Sequence, residues 1–293
     1  MKLSHVLLII LVMALWGINF VFIRLGLNDL PPFLLCTLRF LLVSIPAVFF
    51  VPRPKVKVSL LFVYGLVMFG FQFAFLFSAI RAGMSAGLAS LVMQCQVFFT
   101  LGLASYIFKD KISLFKIFGA LISFSGLGIV AFHTQGDITL IGLLLTLMAS
   151  FSWATGNVLS KKVGSVPAFG LVVWGSLAAT PFLLIMSFIF EGPLLMSESL
   201  QHIGWISILS VAYIAYVSTH LAYSLWSHFL KIYPITQIAP FTLLVPIFGF
   251  LGTVIVLHES FPAWKVWASI LLILGLCVYF LDQKIKLKIP KTT

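Results

Sequence analysis

Long apolar runs separated by short polar connections dominate the pattern along this chain. Crossing about 30 Å of hydrocarbon takes about 20 residues of α-helix, and many of these runs have that length. The connections are too short to leave room for a separate soluble domain. The pattern predicts ten membrane-spanning helices, at residues 4–24, 31–51, 59–80, 87–107, 116–133, 138–160, 167–190, 205–230, 237–257 and 264–281.

One segment has a different period. FGFQFAFLF, at residues 69–77, places Phe at every second position, which is the period of a β-strand. An isolated strand in lipid would leave its backbone unpaired, and the rest of the chain lacks the alternation that a membrane barrel needs. We therefore predict helix here too, and an all-α integral membrane fold.

Composition and charge agree with this interpretation. Hydrophobic residues make up 61% of the 293 residues and charged residues only 9%, against about 25% charged in a typical soluble domain. Of the 18 Lys and Arg residues, only Arg24, Arg81 and Lys265 fall outside if the N-terminus is cytoplasmic, and Arg39 lies within a span. The others collect on the cytoplasmic side, as the positive-inside rule requires. The net charge of +11 therefore indicates a membrane topology with both termini cytoplasmic, and not nucleic-acid binding.

The second half of the chain is a weaker copy of the first. At an offset of 149 residues Gly126 falls on Gly275, and nearer the start of each half the offset drops to 138, where Asn19 falls on Asn157. A longer loop at residues 191–201 absorbs most of the difference. An ordered series of matches of this kind is typical of an internal duplication.

Five spans in each half is an odd number, so the second half must enter the membrane with the opposite polarity. The sequence thus predicts two inverted five-helix repeats, residues 1–135 and residues 136–293, the second ending in a short basic cytoplasmic tail. Secondary transporters are often built in this way and bind substrate near the midplane, between the repeats.

Each repeat carries an aromatic and amide pair in its first span. Trp16 and Asn19 are three residues apart, and Trp153 and Asn157 are four apart, so each pair shares one helix face. One interpretation is that the asparagines hold neighbouring spans together by hydrogen bonds. The other is that each pair lines one mouth of a central cavity, where an indole face can accept an ammonium group.

Arg39 is the one fixed charge predicted near the midplane, where an arginine costs about 2.5–3.5 kcal/mol on insertion scales. All seven Asp and Glu residues fall in loops or at span ends, so none can pair with it at that depth. Arg39 either ties spans two and three together through amides such as Gln72 or helps to hold a substrate carboxylate. The equivalent position in the second half is Trp174, which makes the predicted cavity electrically asymmetric.

Further candidates lie in spans four and eight. Gln94 and Gln96 are about 200° apart on a helix, so only one can face a cavity squarely, and we favour Gln94. Tyr223 is a candidate wall residue. His220 is either a proton carrier, a role that histidine side chains can fill, or a buried hydrogen-bonding residue.

Several kinds of chemistry are not indicated. The spans contain no pairing of nucleophile and base and no Cys or His spacing typical of a metal site. We therefore predict no enzyme activity, metal or cofactor. The lack of carboxylates within the spans argues against a carboxylate-based proton pump. Small residues in the fifth and tenth spans allow close helix contacts, either inside one chain or in a homodimer.

Several stretches carry a resemblance to a known family over nearly the whole chain: WGINFVFIRLG (16–26), FSWATGNVLSKK (151–162), PFTLLVPIFG (240–249), and residues 31–56 and 71–100. The chain resembles the EamA family of the drug/metabolite transporter superfamily, in the branch that exports cysteine and O-acetylserine.

The resemblance implies ten helices in two inverted repeats, an inner-membrane location and export of amino acids or related metabolites. The family's motifs fall on Trp16, Asn19, Arg39, Trp153 and Asn157. Export of other metabolites or drugs is the main alternative, and a membrane protein without transport activity is a further one.

Overall fold

The computed structural model describes residues 1–108, 113–133, 138–163, 166–233, 239–260 and 262–288. We number the ten main helices in chain order. They are α1 (Leu3–Gly26), α2 (Pro32–Ser44), α3 (Val58–Arg81), α4 (86–108), α5 (Leu114–Phe132), α6 (Leu140–Val163), α7 (Ala168–Phe190), α8 (205–232), α9 (239–257) and α10 (Ala263–Lys288).

Helices make up the described part of the chain almost entirely, as the hydrophobic pattern predicts. Within it, eight helices are long and apolar enough to cross a membrane, and the apolar parts of α9 and α10, Phe241–Leu257 and Ala263–Val278, are shorter. Large apolar side chains such as Leu121, Ile141 and Ile255 stay exposed on the outer faces of these helices. An apolar exterior of this kind fits a lipid surrounding. The prediction of an all-α membrane fold is confirmed.

Helices α3, α4 and α8 are locally irregular, and α9 begins with a 3₁₀ segment at Ala239–Leu243. Helix α3 passes through a π-helical segment at Leu66–Phe71, and α8 passes through another at Tyr213–Leu221. These two segments occupy equivalent positions in the two repeats. Helix α4 is interrupted by a 3₁₀ turn at Met93–Cys95. Such irregularities change which side chains face a neighbouring helix, and π-bulges are frequent at functional sites.

The last helices of the two repeats, α5 and α10, pack along each other in opposite directions. The Ser123 hydroxyl donates to the carbonyl of Leu272 at 3.0 Å, and the His133 ring stacks on Trp264 with 4.7 Å between centroids. Ser123 precedes His133 along the chain, whereas Leu272 follows Trp264, so the two helices are antiparallel. Ser123 and Leu272 are 149 residues apart, which is the repeat offset, so equivalent positions of the two halves meet here.

Helices α2 and α7 form the second pair of equivalent helices in contact. The ring of Phe33 stacks on Phe190 at one end, with 5.6 Å between centroids. Beyond the other end of α2, the indole of Trp174 donates to the carbonyl of Val51 at 2.9 Å. This pair is antiparallel as well. Because equivalent helices run in opposite directions, the two halves have opposite polarity, and the predicted inverted five-helix repeats are confirmed.

The remaining contacts repeat this symmetry. Helix α3 packs on α6 as α8 packs on α1, and α4 packs on α6 as α9 packs on α1. The first helix of each repeat therefore lies against the third and fourth helices of the other. This arrangement encloses the centre of the molecule between the repeats. The predicted division at residues 135 and 136 lies outside the described residues and stays a prediction.

Two local expectations are corrected. Residues 191–201, expected as a loop, form a short connecting helix at Gly192–Gln201, because Pro193 suits the first helical turn and good helix formers follow it. The second span is predicted to run to residue 51, but α2 ends at Ser44 and Ile45 is extended. The cause is Pro46, since a residue that precedes proline is disfavoured in the α conformation.

Candidate functional site

A cavity of about 480 Å³ lies between the two repeats. It is bounded by side chains from α1, α2, α3, α4, α6, α8 and α9, so both halves contribute to it. Eight of the ten predicted site residues line it: Trp16, Asn19, Arg39, Gln72, Gln94, Trp153, Asn157 and Tyr223. None of the described residues that line the cavity is Asp or Glu, so Arg39 gives the cavity a positive charge.

The other two predicted residues, Trp174 and His220, do not line this cavity. The indole nitrogen of Trp174 is engaged by the carbonyl of Val51. The Nε2 atom of His220 lies 2.9 Å from the carbonyl oxygen of Val43, in the last turn of α2. The final carbonyls of a helix have no partner within the helix, so His220 serves α2 as a side-chain cap and faces away from the centre.

Arg39 is 2% exposed and is held mainly by aromatic faces. Its guanidinium carbon lies 4.1 Å from the ring centre of Phe73 and 5.2 Å from that of Phe40. Its Nη2 donates to the Thr219 hydroxyl at 3.2 Å. The expected tie from Arg39 to the Gln72 amide is not formed. Arg39 instead contacts α3 through Phe73 and α8 through Thr219.

The π-helical segment of α8 positions Thr219 for this contact. The Thr219 hydroxyl donates to the carbonyl of Ile214, five residues earlier, at 2.8 Å. The Thr219 hydroxyl oxygen can then accept a hydrogen bond from Arg39. Sequence patterns do not reveal this partner, because Thr219 is one of many hydroxyl residues in the spans and its direction depends on the local helix irregularity.

The cavity residues include four buried polar atoms without a hydrogen-bond partner. They are Nε and Nη1 of Arg39, Oδ1 of Asn19 and Oε1 of Gln72. Most buried polar atoms in proteins are hydrogen-bonded, and an unpaired one costs about 1–3 kcal/mol. Two charged donors and two neutral acceptors around one cavity are complementary to a ligand that carries both an anion and a donor group.

The two asparagines have different surroundings. Asn19 is buried with an unpaired oxygen, whereas the Asn157 amide donates to Oε1 of Gln96 at 2.9 Å and lies 3.3 Å from the Thr100 hydroxyl. The interhelical role considered for both asparagines is therefore observed for Asn157, which joins α6 to α4. Asn19 keeps an acceptor available.

Gln94 and Gln96 both line the cavity, although the sequence predicts that only one of them faces it squarely. The 3₁₀ turn at Met93–Cys95 is the physical reason. With three residues per turn, positions two apart differ by about 240°, or about 120° by the shorter way, instead of about 160° in an α-helix. Side chains from both positions can then reach the same space.

An aromatic wall closes one side of the cavity. The Trp16 indole donates to the carbonyl of Ser218 at 3.0 Å, and its ring lies edge-on to Tyr223 and Trp226, at 5.2 and 5.6 Å between centroids. Met68 also lines the cavity but was not singled out from the sequence. Its apolar side chain gives no signal apart from its place in the π-helical segment of α3.

Known proteins similar to this chain are named as transporters or efflux pumps. The EamA-like transporter family matches residues 3–132 and 140–281. A protein of Salmonella typhimurium named a probable amino-acid metabolite efflux pump is 42% identical over 277 residues, covering 92% of this chain and 93% of that protein. A protein of Escherichia coli K12 with the same name is 41% identical with the same coverage.

A solved crystal structure shares the fold. It covers 99% of this chain, and this chain covers all of it, with a TM-score of 0.64 and 20% sequence identity. The family matches and the two curated relatives extend over both repeats. This chain belongs to the EamA-like transporter family.

Proposed function

We propose that this protein is a secondary transporter that exports small amino acids or their derivatives, of the cysteine and O-acetylserine type. It works by alternating access in the bacterial inner membrane, with both termini cytoplasmic. The family and the names of the two relatives support this proposal. The repeats, 1–135 and 136–293, are the two bodies that move. The proposal includes a homodimer. Ser125 of α5 is exposed, and a Cβ atom added to Gly128 would meet nothing within 4 Å, so this small-residue face of α5 is open to a second copy.

The observation that carries the proposal is the buried, partly unpaired guanidinium of Arg39 in a cavity without acidic side chains. A substrate carboxylate would accept hydrogen bonds from Nε and Nη1. Bonds between arginine and carboxylate are charge-assisted and about twice as strong as neutral ones. The amides of Gln72 and Gln94 line the same cavity and complete the carboxylate side.

The α-ammonium group of the substrate needs acceptors. The unpaired oxygens of Asn19 and Gln72 supply them, and the exposed faces of the Trp16 ring offer a further favourable surface. Trp16 and Asn19 line the part of the cavity nearer the outside, and Trp153 and Asn157 line the part nearer the cytoplasm. A volume of about 480 Å³ is within the usual range for small-molecule sites, about 300–1,000 Å³.

The test is counterflow in liposomes that contain the purified protein and a trapped unlabelled amino acid. We expect uptake of radiolabelled cysteine or O-acetylserine by the wild type. Arg39→Gln should raise the half-saturating concentration about tenfold or more, because a hydrogen bond to a charged group is worth about 1.5–3 kcal/mol. Arg53→Gln, an exposed arginine on the cytoplasmic side, is the matched control and should behave as the wild type.

Other results would favour other functions. Unchanged kinetics in Arg39→Gln would remove Arg39 from the site. Counterflow of lipophilic cations without counterflow of amino acids would favour drug export. No flux of any tested solute through correctly folded protein would favour a role without transport.

A further inference from the structure

The three basic side chains that the charge pattern places outside come together in one cleft. Arg24 lies in the last turn of α1, Arg81 ends α3, and Lys265 lies in the first turn of α10. With His258 and Glu259 they line a cleft of about 510 Å³. The positive-inside rule accounts for how few cations are outside, but not for the clustering of those few around one space.

Two of these cations are exposed and lack an acidic partner. Arg24 donates to the side-chain oxygen of Asn28 at 2.9 Å, and Arg81 donates to the carbonyl of Leu27 at 3.1 Å. A guanidinium has five N–H groups, so most donors of each arginine stay available. Among the described residues, no Asp or Glu carboxylate forms an ion pair with either arginine.

The one acidic residue of the cleft, Glu259, is engaged elsewhere. Its carboxylate accepts hydrogen bonds from the Ser85 hydroxyl and the Ala86 backbone N–H, both at 2.9 Å, and from the Gly87 N–H at 3.3 Å. These groups form the start of α4, where an anion satisfies unpaired N–H groups and the helix dipole. Two exposed arginines thus leave an excess of positive charge in the cleft.

The cleft lies directly beyond the central cavity on the same helices. On α1, Phe20 lines the cavity and Arg24 lines the cleft; on α3, Leu76 lines the cavity and Ile80 lines the cleft. Each step is four residues, or about 6 Å along the helix axis at 1.5 Å per residue. The cleft therefore lies about one helical turn outward from the cavity.

A close contact between α4 and α9 separates the two spaces. A Cβ atom added to Gly87 would lie 2.7 Å from the Thr253 hydroxyl and 2.8 Å from the Phe250 ring, and one added to Gly249 would meet the Ser90 hydroxyl at 2.5 Å. Side chains of α9 thus lie directly against the α4 backbone at Gly87, and the Ser90 side chain of α4 lies directly against the α9 backbone at Gly249. Parting this contact would connect the cavity to the cleft.

We propose that this cleft is an external binding site for small carboxylates, which holds the carboxylate of the exported solute after it leaves the cavity. Arg24 and Arg81 bind the carboxylate with their unused N–H groups. The site deepens the proposed export function and rests on it. It gives the transporter an external affinity that is set separately from the affinity of the central cavity.

The test uses the full-length protein in right-side-out membrane vesicles loaded with radiolabelled O-acetylserine. Exchange is measured against increasing unlabelled O-acetylserine outside. In the double variant Arg24→Gln/Arg81→Gln we expect the external half-saturating concentration to rise tenfold or more. The half-saturating concentration on the inner side, measured in inside-out vesicles, should stay within about twofold of the wild type.

Two further variants control for charge and folding. Arg53→Gln/Lys57→Gln removes two exposed cytoplasmic charges and should leave the external value unchanged. If the double external variant is not inserted, the single variants at these exposed positions give the same readout. The conservative variant Arg24→Lys/Arg81→Lys keeps the charges and should restore most of the external affinity.

Contrary outcomes are separable. An external half-saturating concentration equal to that of the wild type would overturn the external site and leave export intact. An effect of Arg24→Gln/Arg81→Gln that appears in anionic lipid and vanishes in liposomes of phosphatidylcholine would show that the cleft binds an anionic lipid headgroup instead. No exchange by the wild type would overturn the proposed function, and this site with it.

Discussion

At the scale of single residues, Arg39 shows how a charge is held inside an apolar bundle without an acidic partner. The aromatic faces of Phe73 and Phe40 surround the guanidinium, and one hydroxyl, from Thr219, accepts a hydrogen bond from it. Cation–π contacts offset part of the desolvation of a buried cation. The remaining donors stay unpaired, which is a cost that a bound carboxylate would relieve.

Thr219 should therefore act as a positioning residue for Arg39. We expect Thr219→Val, which keeps the shape but removes the acceptor, to raise the half-saturating substrate concentration about three- to tenfold in counterflow. The reason is the loss of one charge-assisted hydrogen bond that fixes the guanidinium.

The matched control for this prediction is Thr180→Val in α7. Thr180 is also buried, and its hydroxyl likewise donates to a carbonyl of its own helix, that of Ser176. Thr219 differs in that it also accepts a hydrogen bond from Arg39. Equal effects of the two substitutions on the half-saturating concentration would mean that Thr219 contributes only to packing.

At the scale of helices, three carboxylates join helix ends at the face that the proposed topology places outside. Asp29 accepts from the Gly204 N–H at the start of α8, at 2.9 Å. Glu191, at the end of α7, accepts from the Phe33 N–H at the start of α2, at 2.5 Å. Glu259 does the same for α4. Each carboxylate satisfies the unpaired N–H groups of a helix distant in the sequence, so together they fix the positions of these helix ends relative to one another.

Glu191 makes one of these caps sensitive to pH. Burial raises the pKa of the Glu191 carboxyl, although hydrogen bonds from Ser187, Phe33 and Leu34 oppose the shift. A carboxyl whose pKa is raised in the folded protein binds its proton more tightly there than in the unfolded chain. Its contribution to the free energy of unfolding therefore grows as the pH falls through the raised pKa, towards the ordinary value of about 4.3.

The comparison that tests this sign is between the wild type and Glu191→Gln, whose side chain does not titrate. We expect the unfolding temperature of the wild type in detergent, minus that of Glu191→Gln, to increase as the pH is lowered from 7 to 4.5. Glu198→Gln, on the exposed side of the connecting helix, controls for the removal of a carboxylate. A difference between wild type and Glu191→Gln that does not change with pH would contradict the assignment.

At the scale of the whole molecule, the inverted halves enclose one cavity between them. The carboxylate caps and the packing of α4 against α9 lie at the same end of the helix bundle. The same symmetry offers a matching contact set at the other end in a second state. Alternating access then exchanges the roles of the two repeats, as in other transporters with inverted repeats.

The polarity of the molecule in the membrane can be tested directly with cysteine labelling. With Cys36, Cys95 and Cys277 replaced by Ala, we expect a membrane-impermeant maleimide to label Gln201→Cys in intact spheroplasts. Lys57→Cys should react only after the membrane is opened, because the charge pattern places residue 57 in the cytoplasm. The reverse pattern of labelling would refute cytoplasmic termini.

Much of this organisation is determined by the sequence alone. Apolar runs of membrane length predict the spans, and the odd number of spans in a repeat forces the inversion that α5 and α10 display. The absence of acidic residues at the depth of Arg39 already indicates an uncompensated charge. These properties can be predicted because hydropathy, charge and repeat offset depend only on the order of residues along the chain.

The tertiary structure alone decided which groups meet. Thr219 rather than Gln72 accepts from Arg39, Gln96 joins Gln94 at the cavity, and His220 and Trp174 bond to backbone carbonyls outside it. Each of these outcomes depends on how far a helix is rotated. The π-helical segments of α3 and α8 and the 3₁₀ turn of α4 change that rotation. Whether such a segment forms depends on backbone and packing energies that involve residues far away in the sequence. No local sequence pattern specifies these energies.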